Sequence, residues 1–453
     1  MRKVLMVLLS IGLIMVFVLP VSAADVKFSG SYVAQGYYDN NRALLKEGGA
    51  SVSNVWQRLR VQTDFKVQEG LMLTTRFDAL EKIWGASRST AISTNLAGND
   101  QESENIKFTH AFVTLNVPGG YGELRVGYMT QGTWGTAFGD TGEQDYGMRV
   151  KWDWTTGSYF WGARWDKTEG KKGYSSSGPA GNINSATYAV DNDSEKYSVL
   201  AGYKWSKGDA GLQITYYLDT STAVNPTTGY KGKYTLFQPY ARAAFGIVYV
   251  ETEFGFYTGK KQEYNVESTT LQNVDYQGWR GYVMANVDLA PAYVGALAFY
   301  AAGDDLGTAT KYEGGVKIGT DFQPCLILFN YDLGRWNGLL GGQNGLTSTT
   351  FPAYNNDNVG ALQIFAGIKP MPKLDVKASY TVAQADKDGS SKNWQSKSIG
   401  GELDLTATYK IYDNLSYMVG FGYLWAGDWF KGTSSGATVD NDYLVTHKLT
   451  LSF

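Results

Sequence analysis

Cysteine is almost missing from this sequence. Cys325 stands alone among 453 residues, so the chain can build no internal disulfide framework, no Cys-x-x-Cys zinc site and no Cys-x-x-Cys-His haem attachment. In the run Cys325-Leu326-Ile327-Leu328-Phe329 it reads as a small apolar filler. Histidine is nearly as scarce. His110 and His447 are the only two, and neither has a second histidine at ligand spacing. A hydrolase needs a histidine organised beside a nucleophile, and nothing marks His110, among Phe108, Thr109 and Phe112, for that role. No glycine-rich phosphate loop ending in Lys-Ser or Lys-Thr occurs. Glu251 and Glu253 sit two residues apart, side by side on one strand face and not across a substrate. No enzymatic activity, metal or cofactor is expected. Long apolar runs are also lacking after residue 24, which excludes a helical membrane protein.

The one apolar run lies at the start. Arg2 and Lys3 precede Val4 to Leu19, and Pro20 leads into Val21-Ser22-Ala23-Ala24. Basic residues, a short apolar core and small residues before the cut describe a cleaved signal peptide over residues 1–24. Without Arg2 and Lys3 the rest carries 38 bases against 43 acids, a net charge near −5. That balance argues against nucleic acid as a partner.

What the chain has in plenty is glycine (54), tyrosine (32) and tryptophan (13). From residue 25 to 453 it reads as one unit of amphipathic ribbons. In the final stretch Tyr443, Val445, Leu449, Leu451 and Phe453 share one side of a two-residue period, and Thr446, Lys448, Thr450 and Ser452 share the other. In 55–68, Arg58, Arg60, Gln62, Asp64, Lys66 and Gln68 oppose Leu59, Val61, Phe65 and Val67. In 145–154, Arg149 and Lys151 oppose Val150 and Trp152. In 415–425, Tyr417, Val419, Phe421 and Tyr423 oppose Ser416, Gly420 and Gly422. A polar face charged in ribbon after ribbon suits a water-filled interior.

Two kinds of connection alternate. Short ones carry Gly, Pro, Asp or Asn: Glu69-Gly70, Pro118-Gly119-Gly120, Thr156-Gly157, Gly208-Asp209, Phe245-Gly246, Pro291, Gln323-Pro324, Met371-Pro372-Lys373 and Asp413-Asn414. Long ones are polar, such as 83–105, 132–144, 169–194, 303–310 and 334–357. This predicts an all-β, transmembrane, antiparallel up-and-down barrel of about 18–20 strands, with short periplasmic turns, long extracellular loops and both chain ends in the periplasm. The least regular strands are those flanking Pro324, and no helical segment is expected. Aromatic residues collect at ribbon ends (Tyr37, Tyr38, Trp84, Trp152, Trp154, Trp161, Trp165, Tyr203, Trp205, Trp425, Trp429), where rings with a polar handle favour the membrane–water interface.

The leader, the alternating connections, the girdle and the terminal Phe453 together resemble Gram-negative outer-membrane porins of the trimeric general-diffusion type. Arg58 to Val67, continuing to Arg76-Phe77-Asp78, resembles the second and third strands of porin-like proteins from sulfate- or metal-reducing bacteria. The resemblance implies an outer-membrane channel for small hydrophilic solutes and ions, bounded by lipid and assembled as a homotrimer. It implies that the third external loop, 132–144, folds inward, with Trp134, Phe138, Asp140 and Glu143 as constriction candidates. That loop is shorter than the family's, so either the constriction is incomplete or another loop shares the task. Facing it, the resemblance implies a basic ladder, here Arg58, Arg60, Arg76, Arg125, Arg149 and Arg164. Loop 83–105 takes the position of the family's intersubunit latch. His447 falls on the outward face, at a subunit contact or near the membrane's edge. Two alternatives stay open. One is a substrate-specific channel, with Tyr240, Tyr249, Tyr282 and Trp134 as a slide for sugars or aromatic acids. The other is a sheath around a partner redox protein.

Overall fold

The computed structural model describes residues 25–47, 49–86, 106–140, 145–169, 194–220, 228–341, 357–388 and 394–453. The expected leader, Glu143 and most of loop 83–105 lie outside them.

In chain order the strands are β1 (Asp25–Asp39), β2 (Val52–Gln68), β3 (Leu71–Ile83), β4 (Ile106–Asn116), β5 (Glu123–Thr130), β6 (Tyr146–Thr156), β7 (Tyr159–Glu169), β8 (Ser194–Trp205), β9 (Gly208–Asp219), β10 (Tyr230–Phe245), β11 (Val248–Tyr264), β12 (Val274–Tyr276), β13 (Trp279–Leu289), β14 (Ala292–Ala301), β15 (Lys311–Tyr312), β16 (Val359–Met371), β17 (Leu374–Gln384), β18 (Ser398–Tyr412), β19 (Leu415–Ala426) and β20 (Asp442–Ser452). The two short strands β12 and β15 pair with each other in parallel. The other 18 form the wall, each antiparallel to its neighbours. β1 pairs with β2 on one side and with β20 on the other. The sheet therefore closes, and no strand is left with unpaired backbone groups facing lipid.

Alternation decides the two faces. Phe28, Val67, Leu73, Phe108, Val126, Val199, Val283, Ile364, Val419 and Val445 are exposed. On the opposite parity Arg60, Asp78, Arg149, Asp166, Glu253, Gln363, Glu402 and Asp404 are buried although polar. Wall strands of 8–17 residues bracket the roughly 9–11 that a tilted crossing needs. Most of the expected turns hold. Gly70 and Gly246 take φ of +75° and +62°, a region that costs glycine little. Trp84, Trp161, Trp165, Tyr203, Trp205 and Trp425 are exposed on the outer face as a girdle would be. Trp429 is not. It is buried against Trp394, their ring centroids 4.9 Å apart.

The region around Pro324 departs from expectation. β14 pairs directly with β16, Ala301 opposite Val359 and Ala292 opposite Ile368, so no strands flank Pro324 and no periplasmic turn occurs there. Residues 302–341 instead cross the lumen and include a short helix, Tyr331–Asn337. Asn330 caps it, its side chain accepting from the Leu333 N–H at 2.9 Å. Cys325, Ile327, Leu328 and Phe329 are each at most 3% exposed, in a core with Phe138, Phe299, Phe322, Leu333 and Trp336. An unbroken apolar run is a buried segment of either kind, and its lack of alternation separates it from the wall ribbons. Gly420 and Gly422 leave room for it. A Cβ at Gly420 would lie 3.0 Å from the Leu326 side chain, and one at Gly422 would lie 3.2 Å from it.

Candidate functional site

Two inserted segments narrow the lumen. The first leaves β5 at Thr130 and returns at Asp145, where the Gln131 N–H meets the Asp145 carbonyl at 2.7 Å. Arg149 holds its base, donating to the carbonyls of Thr130 (2.8 Å) and Gln131 (2.7 Å) while its Nη2 also reaches Asp166 at 2.7 Å. Trp134 Nε1 donates to the Gln238 carbonyl at 2.8 Å, and its ring stands edge-on to Tyr240. Glu253 accepts both the N–H and the hydroxyl of Thr136 at 2.8 Å. Phe138 is fully buried, stacked on Tyr282 at 5.1 Å and edge-on to Phe322 at 5.3 Å.

The second segment meets the first there. Gly319 N–H donates to the Phe138 carbonyl at 2.8 Å, and Asp321 N–H to the Asp140 carbonyl at 3.3 Å. A Cβ on Gly319 would lie 2.1 Å from the Asp140 carbonyl oxygen, so the crossing requires glycine. Beyond it, Gln363 donates to the Pro324 carbonyl at 2.9 Å, and Glu402 accepts the N–H groups of Ile327 (2.6 Å) and Leu328 (2.7 Å). The short helix lays Trp336 on Trp56 at 5.2 Å, and Arg335 reaches Glu81 at 2.9 Å. Strands from β13 around to β3 thus hold the second segment, and β5 to β13 hold the first. Contacts over so much of a closed wall place both segments inside it.

Several wall charges pair side by side along the sheet. Arg58 pairs with Glu81 at 3.5 Å, Arg60 with Asp78 at 2.6 Å and Arg125 with Glu123 at 2.7 Å. Arg76 donates to Thr109 Oγ1, and Arg164 to the Thr133 carbonyl and Gln213. Among the described residues neither of these two forms an ion pair. The inserted chain presents Asp140, Asp321 and Asp332. Burial, then the charges of Asp140 and Asp332, push the Asp321 carboxyl up to about 6, although Arg58 and Arg60 pull the other way. Burial also pushes the Cys325 thiol up, consistent with an inert filler.

Sequence reasoning picked Trp134, Phe138 and Asp140 in the first segment and missed the second. Its slide residues are occupied otherwise. Tyr240 donates to Asp209 at 2.6 Å, Tyr249 and Tyr282 donate to Glu251 at 2.8 and 2.9 Å, and Trp134 is a wedge under the first segment. Among the described residues His110 bonds to neighbouring threonines, Thr109 and Thr130. His447 lies exposed over Gly36 on the outer face.

No family model matches this chain, and no curated protein matches it. Solved structures do. The outer membrane protein OpdK of Pseudomonas aeruginosa aligns over 94% of this chain and 99% of its own at 11% identity, TM-score 0.51. The fold is that of outer-membrane β-barrels. OccD3 (OpdP) of the same species covers 96% and 95%, and OccAB2 of Acinetobacter baumannii 94% and 98%, both at 11% identity and TM-score 0.50. OpdK is also known with vanillate bound, in a structure that aligns at 12% identity and TM-score 0.50.

Proposed function

We propose that this chain is a Gram-negative outer-membrane channel through which small hydrophilic solutes and ions diffuse. One observation carries the reading: a closed barrel, apolar outside and charged within, whose lumen two internal segments narrow without any catalytic constellation among the described residues. In this reading the polar wall replaces part of a solute's hydration, the crossing at Gly319 sets the size limit, and Asp140 and Asp321 opposite Arg58, Arg60, Arg76, Arg149 and Arg164 set a transverse field. Arg125, near the periplasmic turn, adds to the exit. The short turns face the periplasm together with both chain ends, as in bacterial single-chain barrels. Assembly as a homotrimer draws support from the outer face of β20, β1 and β2. There His447 and Gln57 flank the small residues Ala34 and Gly36, a surface ill suited to lipid. Planar-bilayer recording in asymmetric salt tests the channel. Stable unitary steps with a reversal potential set by the lumen charge are expected, and a purified, heat-modifiable barrel that carries no current would end the reading.

A second reading, a substrate-specific channel, is favoured by the amount of lumen the inserted segments fill and by the OpdK–vanillate likeness. The same filling speaks against a sheath around a redox protein, which would need that volume.

A further inference from the structure

Between the first inserted segment and the wall of β6 to β13 lies a recess of about 200 Å³. Its floor is closed by Trp134, which packs with Tyr240, Leu200 and Phe160. Its rim is Tyr217 and Tyr257, near the extracellular ends of β9 and β11, and Lys317 from the second segment lines it too. The space is below that of a drug-sized pocket and suits one molecule of monosaccharide size.

Three of the cations around it are paired in contact. Arg149 is matched by Asp166, Lys196 by Asp145 at 3.4 Å and Arg280 by Glu253 at 3.5 Å. Lys317 forms no ion pair among the described residues. Nor does Lys261 close by, whose ammonium is held by ring faces, 5.5, 5.4 and 5.6 Å from the centroids of Tyr234, Tyr276 and Tyr312. Asp357 acts on Lys317 and Asp219 on Lys261 from beyond ion-pair distance, so both ammonium groups keep room to contact an anion. The interior offers hydroxyl-matching groups. Ser198 and Thr215 hydroxyls bond each other at 2.9 Å, which leaves one O–H to spare. Gln238 accepts from Gln213 at 3.2 Å, and its own amide N–H₂ has no partner among the described residues. Tyr257, stacked on Tyr276 at 4.3 Å, adds a flat apolar surface of the kind that sugar rings cover.

We propose that this recess binds a small hydroxylated carboxylate of sugar-acid size, its carboxylate toward Lys317 and its hydroxyls toward Gln238 and the Ser198–Thr215 pair. The proposal rests on the channel reading for the supply of solute. It is tested by titration calorimetry on the full chain in detergent with glucuronate, glucose and acetate as probes. Saturable glucuronate binding is expected, about tenfold tighter than either half-probe, since a charge-assisted hydrogen bond contributes about that factor. Lys317→Gln is expected to weaken glucuronate about tenfold and abolish its advantage over glucose, and Gln238→Leu to abolish its advantage over acetate. Lys317 is exposed, so its replacement leaves folding intact, which heat-modifiable mobility checks. No glucuronate binding, equal binding of all three probes or an unchanged Lys317→Gln variant would overturn the proposal. A barrel that conducts ions yet binds no glucuronate sinks this inference alone, and one that binds it without conducting sinks the channel reading alone.

Discussion

Asp321 is the residue at which charge and geometry are most directly coupled. Its carboxyl titrates near 6 because burial and two like charges oppose ionisation. Above that pH it adds a negative charge opposite Arg58 and Arg60. Below it, the basic wall is left with one charge less to answer it. Anion preference is therefore expected to rise as pH falls from about 7 to 5, read as a shift in reversal potential, and Asp321→Asn is expected to remove that pH dependence. The stability sign follows. A raised carboxyl pKa favours docking of the segment fully below the free value of about 3.9, and the gain is lost as pH rises through about 6. Glu402 offers a second single-residue test. It accepts two backbone N–H groups in a site with 0% exposure, and a buried N–H left without its acceptor costs about 1–3 kcal/mol. Glu402→Ala is expected to free residues 324–329 from the wall. Larger and noisier unitary currents would register this, and unchanged currents would show that the segment does not depend on Glu402. Arg60 and Asp78, like Arg149 and Asp166, show why a charged residue's role was only half legible. Alternation told which face each arginine takes, but whether a cross-strand acid neutralises it depends on register, and a single sequence does not reveal register.

At the scale of elements, the wall and its contents have different physics. Ribbons were readable because lipid on one side and water on the other impose a period of two. The 302–341 segment was not, because it is surrounded by protein and obeys no period. Its signs were present in the sequence as an unalternated apolar run, Cys325 to Phe329, next to an Asn-capped stretch, Asn330 to Trp336. Gln323-Pro324 has the composition of a tight turn and so masks both. The direct pairing of β14 with β16 means that closure does not need the segment. Replacing 314–341 with a short Gly-Ser linker is expected to leave heat-modifiable folding intact and to raise conductance severalfold. Loss of the folded barrel would instead make the segment part of the scaffold. Phe138 tests the crossing from the other side. Phe138→Ala removes a ring buried among Tyr282, Phe299 and Phe322 and is expected to cost about 3–5 kcal/mol of local packing. It should widen the constriction while leaving the wall intact, and conductance with and without a non-electrolyte of graded size measures this.

For the whole molecule, one boundary organises everything else: lipid against one face of a closed sheet, water and inserted chain against the other. Gln62 and Val61 are adjacent on β2 and lie on opposite faces of it, and the native Cys325 is buried, so each position can carry a single reactive thiol. The most direct test is to record single channels of Gln62→Cys and Val61→Cys while a charged, membrane-impermeant thiol reagent is added. The account predicts a stepwise fall in current for Gln62→Cys and no reaction at Val61→Cys. A step at Val61→Cys, or silence at both, would contradict a water-filled interior.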